Sequence, residues 1–186
     1  EEMGKGALVV DTREPASFGG AHIKGAYSIW LEGLPSFAGW VLTYDRPVLL
    51  VLEDEGYLEK AVRYLIRLGY DRIAGYLRGG IEGWYNSGLP VEGCNLTTVH
   101  DLKRRLDRHD SLTVLDVRGD AEWERGHIKH ALHVYVGELE NRLSEVPKGM
   151  PVTVTCNVGH RSGIAISILL REGYPDVQNL LGGMSA

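Results

Sequence analysis

Residues 9–29 read VVDTREPASFGGAHIKGAYSI and residues 114–134 read VLDVRGDAEWERGHIKHALHV. They are one segment written twice, 105 residues apart, with eight of 21 positions identical, among them Asp11, Arg13, His22, Ile23 and Lys24 with their partners. Further on the offset falls to 104, matching Pro47 to Pro151 and Gly69-Tyr70 to Gly173-Tyr174, and then to 103, matching Gly79-Gly80 to Gly182-Gly183. Both drops read as single-residue length changes in loops. A chain of 186 residues could be one ordinary domain or two small ones. A repeat this long means two copies of a domain and excludes a solenoid of short units.

The copies divide at Leu89-Pro90-Val91-Glu92-Gly93, a stretch with turn chemistry and no periodicity. The expected domains are 1–93 and 94–186. After the division, Thr98 precedes Val99, Leu102 and Leu106, a helical spacing, and Asp101 stands where a capping box places its acid. Copy two stops at Ala186 while copy one runs on through Ile81 and Trp84, so copy two is expected to be truncated by about one helix.

Each copy alternates strands and helices. Leu8–Val10, Val48–Leu52, Leu112–Leu115 and Val152–Thr155 are short apolar runs suited to a sheet buried on both faces. Glu59–Leu68 and Gly163–Arg171 follow as helices, with Gly69 and Gly173 where a helix end favours glycine. The pattern predicts two three-layer α/β/α domains, each with a mainly parallel central sheet and ligands at the C-terminal strand ends.

With 44% hydrophobic residues the chain can build cores, which excludes disorder for its bulk. No apolar run approaches the ~18–20 residues of a membrane span. No basic-then-apolar leader is visible, and Glu1 in first place suggests a fragment or a processed chain. A net charge of −5 without a long basic tract argues against nucleic acid. Two cysteines, Cys94 and Cys156, cannot form a disulfide framework, so a reducing, cytoplasmic setting is expected and the Asn95-Leu96-Thr97 sequon is read as chance.

One segment carries chemistry: Cys156-Asn157-Val158-Gly159-His160-Arg161-Ser162, between the end of a buried strand and the start of a helix. A short loop there can curl its N–H groups inward as a nest for an anion. Gly159 permits the turn. Cys156 at the bottom is expected to be an exposed thiolate, stabilised by those amides and by the positive helix end, and able to attack an electrophilic sulfur or phosphorus. Arg161 is placed to hold an anionic substrate. His160 could tune Cys156 or face solvent.

On Asp116-Val117-Arg118, Gly126-His127-Ile128, the C-x-x-G-x-R-S loop and the closing Leu180-Leu181-Gly182-Gly183, the chain resembles a tandem rhodanese, a sulfurtransferase family. The resemblance implies that a donor (thiosulfate or a persulfide) gives its outer sulfur to Cys156. A thiophilic acceptor, cyanide or a thiol, then removes it. Asn157, Val158, Gly159, His160, Arg161 and Ser162 would bind the donor, with no metal or cofactor. Phe37-Ala38-Gly39-Trp40-Val41 also resembles rhodanese units that follow a metallo-β-lactamase-like persulfide dioxygenase domain, which implies a fusion whose iron belongs to the other half.

Copy one departs from this pattern. Leu52 stands where Cys156 stands, Tyr57 where Arg161 stands, and Glu53, Asp54 and Glu55 would repel an anion. It is expected to be catalytically inactive. Asp116, Arg118 and His127 recur there as Asp11, Arg13 and His22, which favours fold roles for all six. The spacing of His127, His130 and His133 is a weak metal signal with nothing placed to complete a site. Two rival functions remain. One is a rhodanese-like dual-specificity phosphatase or arsenate reductase, which carries one more residue between cysteine and arginine. The other is a non-catalytic binding or regulatory module.

Overall fold

The computed structural model describes residues 2–186; Glu1, and the expectation attached to it, lie outside the described residues. The chain divides after Gly93 into two compact units. In unit 1 the order is β1 (Leu8–Asp11), α1 (Pro15–Gly20), β2 (Tyr27–Ser28), α2 (Leu34–Val41), β3 (Val48–Val51), α3 (Leu58–Arg67), β4 (Ile73–Tyr76) and α4 (Gly80–Asn86). Its sheet runs β2-β1-β3-β4 with every pair parallel.

Unit 2 repeats the plan: β5 (Asn95–Thr97), α5 (Val99–Asp107), β6 (Thr113–Asp116), α6 (Asp120–Glu124), β7 (Leu132–His133), a 3-10 stretch Val136–Glu145, β8 (Val152–Thr155), α7 (His160–Arg171) and β9 (Val177–Leu180). Its parallel sheet runs β5-β9-β8-β6-β7. All residues of β1, β8 and β9 are buried, although alternate side chains point to opposite faces. Both faces of each sheet are therefore covered, as the continuous apolar runs require.

The prolines mark strand starts. The Pro47 and Pro151 carbonyls accept the Leu8 and Thr113 amides at 2.8 and 2.9 Å. Gly69 and Gly173 follow α3 and α7 with φ of +89° and +77°, as helix ends favour. Thr98 caps α5 by accepting the Asp101 amide at 3.1 Å. The Asp101 carboxylate takes the Thr98 hydroxyl at 2.7 Å instead of the Thr98 backbone N–H, so the capping box expected from the sequence is only half made.

Three details differ from expectation. The second drop in the repeat offset lies inside a strand: Val48 pairs with Ile73 but Leu49 pairs with Gly75, so β4 carries a bulge at Ala74. In unit 2, Val152, Thr153 and Val154 meet Val177, Gln178 and Asn179 without one. By this register Asn179 corresponds to Tyr76. Residues 95–97, passed over as a chance sequon, form edge strand β5. The dividing stretch, residues 89–93, read only as turn, is folded onto unit 1, where His22 and Glu92 exchange backbone hydrogen bonds of 2.8 and 2.9 Å.

The repeated Asp-x-Arg and His explain themselves as one latch used twice. Arg13 grips Asp11 through Nε (2.9 Å) and Nη2 (2.7 Å) and donates to the Ala21 carbonyl (2.6 Å). Arg118 does the same with Asp116 (2.9 and 2.6 Å) and the Gly126 carbonyl (2.8 Å). His22 stacks on Phe18 and donates from Nδ1 to its carbonyl at 2.9 Å. His127 pairs with Trp123 in the same way, at 3.1 Å. The latches tie the ends of β1 and β6 to the helix and loop that follow each.

Candidate active site

Strand β8 delivers Cys156 to the C-terminal edge of the unit 2 sheet, and α7 begins four residues later. Gly159 is the N-cap of α7 at φ +106°, a conformation side chains disfavour. That turn brings the Gly159 N–H onto Cys156 Sγ at 3.1 Å. The sulfur thus receives an amide at the positive end of a twelve-residue helix. Ser162 Oγ stands 3.6 Å from the same sulfur.

The loop carbonyls are drawn the other way. Met184 donates to the Cys156 carbonyl at 2.8 Å and Ser185 to the Asn157 carbonyl at 3.0 Å. This is the work of the closing Gly-Gly. Gly182 and Gly183 adopt φ of +74° and +56°, and a Cβ on Gly183 would meet the Cys156 oxygen at 2.3 Å. The expectation of an exposed thiolate is corrected, since Cys156 is only 1% exposed. The sulfur lies at the floor of the loop, beneath the Gly159 N–H.

The other loop residues take distinct places. Asn157 and Val158 are exposed, Asn157 Oδ1 accepting from Ser185 Oγ at 3.1 Å. His160, half-buried, opens α7. Ser162 is buried, its hydroxyl 2.9 Å from the Gly159 carbonyl and 2.7 Å from Asn179 Oδ1. Arg161 is held by a carboxylate: its Nη1 and Nη2 meet Glu122 Oε2 and Oε1 at 2.5 and 2.7 Å. Glu122 holds the guanidinium firmly protonated, with a further contribution from the Cys156 sulfur. Arg161 in turn keeps the Glu122 carboxyl below its usual range.

Glu122 and Asn179 are site residues that motif reading missed. Asn179 had a signal, being a polar residue in the buried strand run Val177–Leu180. Glu122 had one in its position three residues after Gly119, whose amide it accepts at 3.4 Å. Nothing in the spacing pointed to its reach across to Arg161. His127 and His133 both stack on Trp123, with ring centroids 3.6 and 4.5 Å away. Among the described residues no group of three or more His, Cys, Asp or Glu is arranged to hold a metal.

In unit 1 the corresponding place, after β3, holds the buried Leu52. Glu53, Asp54 and Glu55 line a cavity of about 610 Å3 beside it. Glu55 accepts the Gly79 amide at 3.0 Å and the Tyr76 hydroxyl at 3.2 Å, and Asp54 accepts the Gly56 amide at 2.7 Å. Two backbone amides of this region are thus taken up by carboxylates.

A parallel α/β unit with a cysteine at a strand end, its loop amide turned to the sulfur and its loop carbonyls tied off, defines a class of domains built around a cysteine loop. Within it, this chain belongs to the rhodanese-like domain family, which matches residues 1–87 and 98–186, and so carries two such domains in tandem. It is similar to the putative sulfur carrier protein YrkF of Bacillus subtilis, 34% identical over 82 residues, covering 44% of this chain and 44% of that protein. A protein named sulfurtransferase from Allochromatium vinosum is 36% identical over 85 residues (46% of this chain, 79% of that one). The thiosulfate sulfurtransferase GlpE of Vibrio cholerae is 33% identical over 88 residues (47% and 81%). The chain thus spans under half the length of YrkF and about four fifths of the other two.

Proposed function

We propose that unit 2 is a sulfurtransferase that carries sulfane sulfur as a persulfide on Cys156. The reading is carried by one observation, the Gly159 N–H directed at Cys156 Sγ at the N-terminus of α7. The names of relatives from Allochromatium and Vibrio support it. The thiolate attacks the outer sulfur of a donor, thiosulfate or a persulfide. The S–S bond of the donor breaks, and sulfite or a thiolate leaves with the electron pair. The loop amide and helix end stabilise the charge before attack and on the persulfide that follows. A thiol or cyanide then takes the outer sulfur, regenerating Cys156. Asn157, Val158, Gly159, His160 and Ser162 form the donor-binding loop, with Arg161 at its rim as the cation that an anionic donor would have to share with Glu122.

Unit 1, residues 1–93, lacks a nucleophile and is catalytically inactive in this reading, while 94–186 is active. Unpaired Cys94 and Cys156 support a reducing, cytoplasmic setting. The likeness at Phe37–Val41 supports a place beside a metallo-β-lactamase-like persulfide dioxygenase domain in a longer protein.

Steady-state kinetics with varied donor and acceptor test the reading. Parallel double-reciprocal lines are expected for the two-step transfer. Cys156→Ser and Cys156→Ala are expected to be inactive, since an alcohol forms no stable persulfide. Full activity in either variant, or cysteine-dependent hydrolysis of an aryl phosphate in its place, would contradict it.

A further inference from the structure

The loop cation of unit 2 is not free to receive an anion. Arg161 is clamped by Glu122 through two parallel hydrogen bonds of 2.5 and 2.7 Å, the geometry of the strong guanidinium–carboxylate fork. Both side chains are largely shielded from water, at 19% and 25% exposed, so solvent screens the pair only in part. Glu122 is itself fixed from behind by the Gly119 amide. The neighbouring guanidinium, Arg118, is consumed by Asp116 and the Gly126 carbonyl. The two guanidiniums are therefore each taken up by a carboxylate, Arg161 by Glu122 and Arg118 by Asp116, and what remains for a donor at Cys156 is the Gly159 amide and the helix end.

This matters because the two donor types differ in charge. Thiosulfate is a dianion whose sulfonate oxygens would have to compete with Glu122 for Arg161. A thiol persulfide reacts through its protonated form. Cys156 thiolate bonds to the terminal sulfur, which keeps its proton, and the inner S–S bond breaks as the thiolate leaves. That donor brings no second charge to the rim and leaves the clamp closed.

Resting on the sulfurtransferase reading, we infer that Glu122 is a specificity-determining residue: by occupying Arg161 it disfavours dianionic donors and favours persulfides. The pair is confined to unit 2. In unit 1, Ser17 stands at the Glu122 position and Tyr57 at that of Arg161, where no donor is expected.

The test measures kcat/KM for thiosulfate and for 2-mercaptoethanol persulfide, released in situ, in the wild-type chain and in Glu122→Gln. The variant keeps an acceptor for Gly119 but loses the charge. The ratio of thiosulfate to persulfide efficiency is expected to rise about tenfold, equivalent to ~1.4 kcal/mol. That rise is expected to vanish when Arg161→Ala is added. Glu122→Met serves with the same expectation should the Gln variant not fold. An unchanged or lowered ratio in an active Glu122 variant, with Cys156 still accepting sulfur, would overturn the role of Glu122 alone. Failure of wild-type Cys156 to take sulfur from either donor would remove the sulfurtransferase reading itself.

Discussion

Gly183 lies directly against the carbonyl of Cys156: a methyl group built on it would sit 2.3 Å from that oxygen and 2.7 Å from the Asn157 oxygen. The closing Gly-Gly of unit 2 is therefore part of the cysteine loop, not merely a turn. Gly183→Ala must push the loop away or distort its own φ of +56°. It is expected to lower the stability of unit 2 by about 2–4 kcal/mol and to abolish sulfur loading at Cys156. Gly80, its counterpart, has φ +59° but its nearest neighbour, the Leu52 oxygen, is 3.7 Å away. Gly80→Ala is expected to show only the backbone strain, ~1–2 kcal/mol. Urea denaturation of the two variants checks the contrast; equal losses would contradict it.

The Asp116–Arg118 pair is buried on both sides and shares its cation with the Gly126 carbonyl. Asp116→Ala leaves a guanidinium buried without its carboxylate, which is expected to destabilise unit 2 by about 3–5 kcal/mol. Asp11→Ala is expected to do the same to unit 1, since Asp11 and Arg13 repeat the geometry. A loss under about 1 kcal/mol in urea unfolding would show the latch to be dispensable.

His22 offers a pH dependence with a defined sign. Its ring is 1% exposed, and burial pulls its pKa below the ordinary value of about 6.5. The folded unit therefore holds it neutral, while the unfolded chain protonates it as pH falls through about 6.5. The contribution is fully present above that pH and is lost as pH falls toward the folded pKa. Unit 1 is expected to unfold at lower urea at pH 5.5 than at pH 7.5, and His22→Asn is expected to flatten the difference. An equal pH dependence in the variant would remove His22 as its source.

How much of this was legible in the sequence follows from which interactions are local. Strands β1, β3, β6 and β8 and helices α3, α5 and α7 could be read because apolar runs and helical spacing are set by neighbours along the chain. The cysteine loop could be read because the Gly159 turn and the start of α7 lie within four residues of Cys156. Glu122–Arg161 could not, because the partners are 39 residues apart and only the sheet brings them together. The bulge at Ala74 was placed in a loop because a one-residue change of offset carries no mark of where it falls. Strand β5 escaped because three residues at a sheet edge show no period.

Cys94 is the contrasting thiol. Burial pushes it up to about 11, with no opposing charge or hydrogen bond among the causes. In a Cys156→Ala background its alkylation by iodoacetamide is expected to accelerate about tenfold per pH unit from 7.5 to 9.5 without a plateau, as a thiol still far from ionised requires. A plateau near pH 9 would place its pKa in the ordinary range.

The central claim is that the sulfur under the Gly159 amide holds a second sulfur atom. Mass spectrometry of the intact chain after thiosulfate or persulfide treatment tests it most directly. The account predicts the mass of one added sulfur, mapped to the peptide containing Cys156, removed by cyanide and missing in Cys156→Ala. An unchanged mass with both donors, or sulfur found on Cys94 instead, would contradict it.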